Sequence, residues 1–523
     1  MRKPDLSSRW RRLAGLCALA LLAGTALARA ATDRPNILII LADDMGYADP
    51  GFIGGDIDTP NLDRLARDGL LFTGFYNETK CTPTRASLLT GHSSRGLLER
   101  GGEGPSVDEH LRRDVPTLGD RMRQAGYSTH LVGKWHLGAA SQDWPYRRGF
   151  DQAFGLITGA SSYFEMRMRE DQDNPERRHL WPPKPFMVAN DQIWQPPAQG
   201  FYMTDAITDR AVATVQAQKG ATAPFLMYLA YTAPHWPLHA LDADIAKYKG
   251  RFDAGWDAVR QRRFQHMKDR GLLPADAMLP PLPEKIPAWD KVENKAEWAR
   301  RMEVYAAQLD HLDQGVGRVL KTLEETGQRD NTIIFFLSDN GASAEPMGPK
   351  FGYDDPSAPI GSAATNTAYK EPWAAVSNTP YRRYKRFLYE GGIRTPMVVN
   401  WPAGLARKGQ VTAAFGHVAD LLPTALDLAG APPDNDPGIA GQSLRPAFTD
   451  PAFTGHQRYF WSFNKERAVR DGVHKLVSSG KDGRWELYDV VADPTESRDL
   501  AAAQPKRVAT MAAAWQQWAD AHP

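Results

Sequence analysis

Asn36-Ile37-Leu38-Ile39-Ile40-Leu41-Ala42 runs straight into Asp43-Asp44. The run is continuously apolar after its first residue and reads as a strand buried on both faces, as in a parallel sheet. The pattern returns far along the chain, where Thr332-Ile333-Ile334-Phe335-Phe336-Leu337-Ser338 runs into Asp339-Asn340. Between them strands and helices alternate. Thr59-Pro60-Asn61 opens a helix, with Thr59 as cap, Pro60 in the first turn and Gly69 as stop. A helix over 118–125 ends at Gly126 and gives way to a strand over 128–132. A helix over 205–218 leads to a strand over 225–231. A long amphipathic helix over about 298–325 carries Tyr305, Leu309, Leu312, Val316 and Val319 on one side. Residues 396–400 make one more strand. This alternation predicts an α/β sandwich on a large, mostly parallel sheet.

Two stretches break the rhythm: 160–200, polar, aromatic and Pro-rich, and 341–380, rich in Gly, Pro, Ser and Ala. Long irregular loops in a compact domain usually build binding surface. After about residue 415 the pattern changes to short strands over 458–463, 466–471, 474–478 and 485–489, then a helix near 506–519. This predicts a small antiparallel sheet, in a C-terminal subdomain over 415–523, packed on a main domain over 31–414.

Residues 1–30 stand apart. Arg2, Lys3, Arg9, Arg11 and Arg12 precede an apolar stretch to about Leu27, and Ala28-Arg29-Ala30 reads as a cleavage site. Together they predict a secretory signal peptide, hence a periplasmic or secreted protein without stable membrane insertion. Arg11-Arg12 leaves twin-arginine export open. The 523-residue chain carries a net charge of +1; cleavage removes six Lys/Arg and one Asp, leaving −4. Nothing in that balance suggests nucleic acid or an anionic membrane as partner. Of two cysteines, Cys17 and Cys81, only Cys81 survives cleavage. A lone thiol in an oxidising compartment is buried, used or chemically converted.

In an open α/β sheet, ligands bind beyond the carboxyl ends of the strands. Asp43, Asp44, Asp339 and Asn340 are placed there by two strands, and all four offer oxygen. A hard cation, Ca2+ or Mg2+, suits them better than Zn2+. Cys81-Thr82-Pro83-Thr84-Arg85 precedes a helix that stops at Gly91. Free N–H groups and the helix dipole there favour an anion, and Arg85 adds a positive charge one turn along. In Gly133-Lys134-Trp135-His136-Leu137-Gly138, an extended backbone would set Lys134 and His136 on one side, a cation beside a proton carrier. Ala233-Pro234-His235-Trp236-Pro237 supplies a second candidate acid after another strand. Arg382, Arg383, Lys385 and Arg386 form a basic cluster before Tyr389-Glu390-Gly391-Gly392, and charge alone does not say which of them faces the site. Asp310, His311 and Asp313 have the look of metal ligands, but their place in the long amphipathic helix predicts a solvated face.

The run Cys81-Thr82-Pro83-Thr84-Arg85-Ala86-Ser87-Leu88-Leu89-Thr90-Gly91 closely resembles the C-x-P-x-R element of type I sulfatases. Asn36 to Asp44, Gly133 to Gly138, Pro234-His235, Ser338 to Gly341, and Lys385 with Glu390-Gly391-Gly392 are similar to that family's other elements in order and rough spacing. The likeness extends to Glu486-Leu487-Tyr488-Asp489 with Asp493-Pro494, and looks closest to bacterial arylsulfatases. It implies an alkaline-phosphatase-like fold and conversion of Cys81 to formylglycine by a separate maturation enzyme. Asp43, Asp44, Asp339 and Asn340 would hold Ca2+, with residue 81 as a further ligand. Arg85 would activate the hydrated aldehyde, Lys134 and Lys385 would grip the sulfate oxygens, His136 would assist breakdown of the covalent intermediate, and His235 would serve the leaving oxygen. Lys385 is picked from its cluster because the family's lysine stands four residues before the residue preceding Glu-Gly-Gly. The implied reaction is hydrolysis of a sulfate monoester through a covalent enzyme-sulfate. Two other readings stay open: a formylglycine-dependent phosphonate monoester or phosphodiester hydrolase, and a non-catalytic exported binding protein that keeps its thiol.

Overall fold

The Asn36–Ala42 strand lies near the middle of a ten-stranded sheet. The computed structural model describes residues 34–101, 108–166, 186–347, 354–432, 435–480 and 483–522, so the signal peptide expected over 1–30 lies outside the described residues. Across the sheet the order is Gln410–Thr412, Leu70–Phe72, Met397–Asn400, Thr332–Ser338, Asn36–Ala42, Phe225–Ala230, Ser128–Gly133, Gln152–Leu156, Met187–Ala189 and Gln192–Trp194. The five strands from Thr332–Ser338 to Gln152–Leu156 are mutually parallel. Met397–Asn400 runs antiparallel to both neighbours, and Met187–Ala189 and Gln192–Trp194 extend the far edge antiparallel. The sheet is therefore mixed, with five parallel strands in the centre and one further parallel pair, Gln410–Thr412 with Leu70–Phe72, at an edge.

Side chains on a strand alternate between faces, and the central run feeds a core on each side. Leu38, Ile40 and Ala42 join one core with Leu62, Ile207, Ala211, Leu309, Leu312 and Val316. Ile37, Ile39 and Leu41 join the other with Ala86, Leu89, Leu118, Met122, Leu422 and Ala425. The helices Pro60–Arg67, Met203–Ala217 and Lys295–Glu325 thus cover one face. Cys81–Thr90, Leu118–Gln124 and Leu421–Leu428 cover the other. Full burial of each Leu or Ile on these faces contributes about 1.5–3 kcal/mol, so the two-sided apolar run is the main reason the sandwich closes.

The long helix departs from expectation on its second face. Asp310, His311 and Asp313 are buried, not solvated. The helix is 31 residues long and is covered along both sides, by Met203–Ala217 and Asp242–Tyr248 on one and by Pro60–Arg67 on the other. Asp313 takes over the capping role expected of Thr59: its carboxylate accepts from the backbone N–H of Asn61 and Leu62 at 3.1 and 2.8 Å. The Thr59 hydroxyl instead accepts from Gly51 N–H and donates to Asp63. By contrast, Thr117 caps Leu118–Gln124 reciprocally with Asp120.

The C-terminal strands Arg458–Phe463, Glu466–Asp471, His474–Ser478 and Trp485–Asp489 form the expected antiparallel sheet. One face carries Val469, Leu476 and Leu487 against Met511 and Trp515 of the helix Pro505–Ala521. The other carries Tyr459, Trp461, Ala468 and Val477 against Tyr76, Leu388, Ile393 and Phe415 of the main body. Among the described residues no helix is long and apolar enough to cross a membrane.

Candidate active site

Asn36–Ala42 and Thr332–Ser338 pair in parallel from Asn36 opposite Thr332 to Ala42 opposite Ser338. Their ends are level, so Asp43-Asp44 and Asp339-Asn340 emerge side by side. Asp44, at φ 66°, turns its N–H onto Asp339 Oδ1 at 3.1 Å. Asn340 Nδ2 donates to Asp44 Oδ1 at 2.7 Å. Phe225–Ala230 and Ser128–Gly133 continue the parallel set and deliver His235 and Lys134 to the same edge. Gly133 has φ 114°, and a Cβ there would lie 1.9 Å from Ala230 O, so this crossing requires glycine.

Cys81 is the first residue of its helix, Cys81–Thr90, and Gly91 closes the helix at φ 72°. The thiol is buried, with Sγ 3.4 Å from Asp43 Oδ1 and 3.9 Å from Asp44 Oδ1. One turn along, Arg85 donates to Lys134 O at 2.8 Å and to Asp339 Oδ2 at 3.3 Å, and lies 3.7 Å from Asp43 Oδ2. Thr84 fastens the same turn by donating its hydroxyl to Asp339 O at 2.7 Å. The Cys81 helix is thereby tied to both acidic strand ends.

Lys134 Nζ lies 2.5 Å from Asp43 Oδ2. Lys385 Nζ lies 2.8 Å from Asp44 Oδ2 and 3.5 Å from His235 Nε2, and His235 Nε2 is 3.4 Å from Asp44 Oδ2. Of the basic cluster, Lys385 is the member that meets these acids. Arg382 donates to Tyr488 Oη and Glu496 O, the Arg383 guanidinium covers the Phe387 ring, and Arg386 is an exposed partner of Glu345. His136 departs from the extended backbone expected of it. Its φ is 60°, its N–H donates to Ile157 O, and its ring packs over Gly159, where a Cβ would lie 2.5 Å from Nε2.

The charges decide how these groups hold protons. Burial opposes ionisation of Asp43, yet Lys134, His235, Arg85 and Lys385 hold its carboxyl well below the usual range. Burial, with Asp43, pushes Asp339 up to about 8 against the pull of Arg85. Burial, with Asp339 and Asp43, raises the Cys81 thiol well above its ordinary value. Burial and the charges of Lys134, Lys80 and Arg85 hold His136 neutral, well below an ordinary imidazole. Burial works against the Lys385 cation, but Asp44, Cys81 and Glu345 more than compensate.

Ligand atoms of Asp43, Asp44, Cys81 and His235 lie within 4.8 Å of one another, a group able to hold a metal ion. Asn340 Oδ1 is buried with no hydrogen-bond partner, an acceptor whose valence is open beside them. Asp339 borders the group through Asp44 N–H. This oxygen-rich set fits a hard divalent cation. With all three aspartates ionised they balance Arg85, Lys134 and Lys385, so a cation and an oxyanion enter as mutual counter-charges.

Two neighbours carried no signal in the sequence. Glu345, in the loop after Asn340, accepts from Trp236 Nε1 at 2.7 Å and lies 3.6 Å from Lys385 Nζ. Burial is overcome by Lys385 and His235, which bring its carboxyl down to about 2. Tyr228 Oη meets Arg85 at 3.4 Å from inside the sheet. Neither stands in a recognisable motif, and only the tertiary fold brings them in.

Comparison with known proteins identifies the family. The family model described as Sulfatase matches residues 35–431, and the one described as N-sulphoglucosamine sulphohydrolase, C-terminal, matches residues 382–518. An uncharacterized sulfatase of Schizosaccharomyces pombe is 32% identical, covering 91% of this chain and 92% of its own. The arylsulfatase of Klebsiella aerogenes is 33% identical, covering 79% of this chain and 90% of its own. The solved structure of Ps i-CgsB in complex with k-i-k-neocarrahexaose superposes with a TM-score of 0.70 at 25% identity, over 94% of each chain. The mixed sheet, the C-terminal antiparallel sheet and these matches place the fold in the alkaline-phosphatase-like class. The chain belongs to the sulfatase family, and its activity is the hydrolysis of a sulfate ester.

Proposed function

We propose that this chain hydrolyses a sulfate monoester, in the manner of an arylsulfatase, after Cys81 has been converted to formylglycine by a separate maturation enzyme. The observation that carries this reading is the convergence on Cys81 of Asp43, Asp44, Asp339, Asn340, Lys134, His235, Arg85 and Lys385, delivered by the ends of four parallel strands, one helix N-terminus and one loop. Asp43, Asp44, Asp339, Asn340 and residue 81 would hold the divalent cation, Ca2+ or alternatively Mg2+. When bound, that cation withdraws charge from sulfate oxygen and from the attacking oxygen. An aldehyde hydrate at residue 81 supplies a hydroxyl nucleophile and releases sulfate by its own collapse, so water need not displace sulfate.

The chain's own residues do the rest. Lys134 and Lys385 are preorganised cations beside Asp43 and Asp44, and they stabilise negative charge on nonbridging oxygens. Arg85, fixed by Lys134 O and Asp339, holds the residue 81 oxygen. His235, next to Lys385, protonates the leaving oxygen, and His136, neutral at pH 7, takes the proton that starts breakdown of the covalent sulfate. The matched arylsulfatase supports an aryl ester, and the k-i-k-neocarrahexaose in the superposed structure supports a sugar sulfate. Export to the periplasm or medium, and division into a catalytic domain over 31–414 and a C-terminal subdomain over 415–523, belong to the same reading.

The test is turnover of aryl and sugar sulfates by protein whose residue 81 aldehyde has been verified by peptide mass spectrometry. Release of sulfate that depends on Ca2+ is the expected result. No turnover across the panel overturns it, and a higher kcat/KM for a matched aryl phosphonate ester moves the assignment to phosphonate or phosphodiester hydrolysis. A residue 81 that stays a thiol in active protein removes the formylglycine step.

A further inference from the structure

We propose that Lys475, on the C-terminal sheet and remote from the reacting atoms, is a positioning residue for this reaction. It locks the Glu390-Gly391-Gly392 turn, on which the Asn340 loop and the Lys385 loop are both hung. The proposal rests on the roles given above to Asn340 and Lys385.

Lys475 is fully buried on His474–Ser478, an inner strand of its sheet. Its ammonium bridges two buried carboxylates, Glu390 Oε1 at 2.8 Å and Glu496 Oε1 at 2.9 Å. Each carboxylate's second oxygen is also spent on the turn or its surroundings. Glu496 Oε2 accepts from Glu390 N–H at 2.9 Å. Glu390 Oε2 accepts from Tyr76 Oη at 2.7 Å and from Arg394 at 3.1 Å. One ammonium therefore fixes both the side chain of Glu390 and, through Glu496, its backbone.

The turn in question has no slack. Gly392 O accepts from Gly341 N–H, the residue after Asn340, at 3.1 Å, and Gly391 N–H donates to Arg382 O at 2.9 Å. A Cβ on Gly341 would lie 1.8 Å from Gly391 O, one on Gly391 2.3 Å from Arg383 O, and one on Gly392 1.9 Å from Phe387 O. The turn is pressed between the backbone that carries Asn340 and the backbone that carries Lys385. Those two are joined again by Lys385 N–H to Ala342 O at 3.0 Å. A displacement of Glu390 thus moves both, and Asn340 and Lys385 meet Asp44 from opposite ends of that unit.

Charge gives the lock its strength. Lys475 and Arg394 offset Glu390 and Glu496. Removing the ammonium leaves two buried carboxylates facing each other at the turn. Burying charge without its partner is costly, so the turn must shift, admit water or take up a proton.

The test uses the full chain with the residue 81 aldehyde verified, as wild type, Lys475→Met and Lys475→Arg. Three quantities are read: kcat and KM on p-nitrophenyl sulfate, Ca2+ affinity by calorimetry on chelator-stripped protein, and Tm. In folded Lys475→Met, kcat falls and Ca2+ affinity weakens, each by about 10- to 100-fold, as for other residues that orient a ligand. KM changes less than kcat, and Lys475→Arg recovers most of both losses. A merely structural lysine would lower Tm and leave the two constants of the folded fraction alone, and that result overturns the proposal. Should Lys475→Met not fold, Glu496→Gln, which keeps the volume, replaces it, and unmoved constants there overturn the proposal equally. A wild-type chain that neither binds Ca2+ nor turns over ester fails at the reading of the site itself. An active wild type with indifferent variants fails here alone.

Discussion

Two groups of buried Asp and His residues lie on the same side of the chemistry question and come out opposite. Around Cys81, the Asp43, Asp44 and Asp339 carboxylates crowd together, Asp339 is pushed up to about 8, and Asn340 Oδ1 is left without a partner. On the long helix, the valences of Asp310, His311 and Asp313 are spent. Asp313 caps Pro60–Arg67. His311 sits between Asp244 at 2.6 Å and Asp205 at 3.0 Å. Asp310 accepts from Lys247, Tyr248 and Gln314. Residue types that look alike in a sequence differ in what remains unsatisfied after folding. The first group is held in conflict by neighbours, as functional groups often are, and the second is a set of struts.

The contrast is broken most directly at its functional end. Asp43→Asn removes the carboxylate that meets Cys81, Lys134 and Arg85. The expected loss in kcat of the folded fraction is about 10^3-fold, with a fall in Tm as well, because buried Lys134 and Arg85 lose a partner. A folded variant that keeps wild-type kcat would make this group structural too. A strong chelator sharpens the same end. It is expected to lower activity by about 10^2-fold or more, with recovery on Ca2+. Thermal melts with and without Ca2+ are the independent readout, and binding to the folded state should raise Tm as the cation is titrated. Activity indifferent to chelation would remove the cation from the reading.

How much of this was legible follows the same division. The parallel centre of the sheet was readable because two apolar runs, Asn36–Ala42 and Thr332–Ser338, read as strands buried on both faces, and their acidic endings pointed to the edge where the candidate site gathers. The four C-terminal strands were readable from alternation and turns. Local patterning could not show that a helix 31 residues long would be wrapped on both sides, because burial of its polar face depends on partners more than 60 residues away, such as Asp244, and more than 250 away, such as Asn61. Nor could it place Glu345 beside Lys385 or Lys475 under the Glu390 turn. Such pairings are written in the tertiary fold, and hydrophobic periodicity is blind to them. The left-handed His136 was missed for a related reason, since its backbone is set by Ile157 and Gly159 on the neighbouring segment.

At the structural end, Asp313→Ala leaves two backbone N–H groups at the start of Pro60–Arg67 without an acceptor. The expected cost is about 2 kcal/mol of stability, the scale of a lost cap and unsatisfied buried donors. Urea titration checks it, and kcat measured on the folded fraction should stay near wild type. A large loss of kcat with stability intact would move Asp313 into the working group.

His311 gives an effect no larger than that of Asp313→Ala and the most discriminating one, because its sign in pH is fixed. Burial opposes its charge, but the hydrogen bonds it donates to Asp205 and Asp244 raise it to about 9, against about 6.5 in an unfolded chain. Between those values the folded protein holds a proton that the unfolded chain releases. The stabilisation is therefore complete below about pH 6.5 and is lost as pH rises through about 9. Because Asp205 is partly exposed, its share is discounted, and roughly 2 kcal/mol remains at pH 6. Thermal melts of wild type and His311→Gln from pH 6 to 10 should start apart and converge. Parallel curves would mean that His311 is neutral in the fold. It would then no longer serve as the charged strut that distinguishes this cluster from the one around Cys81.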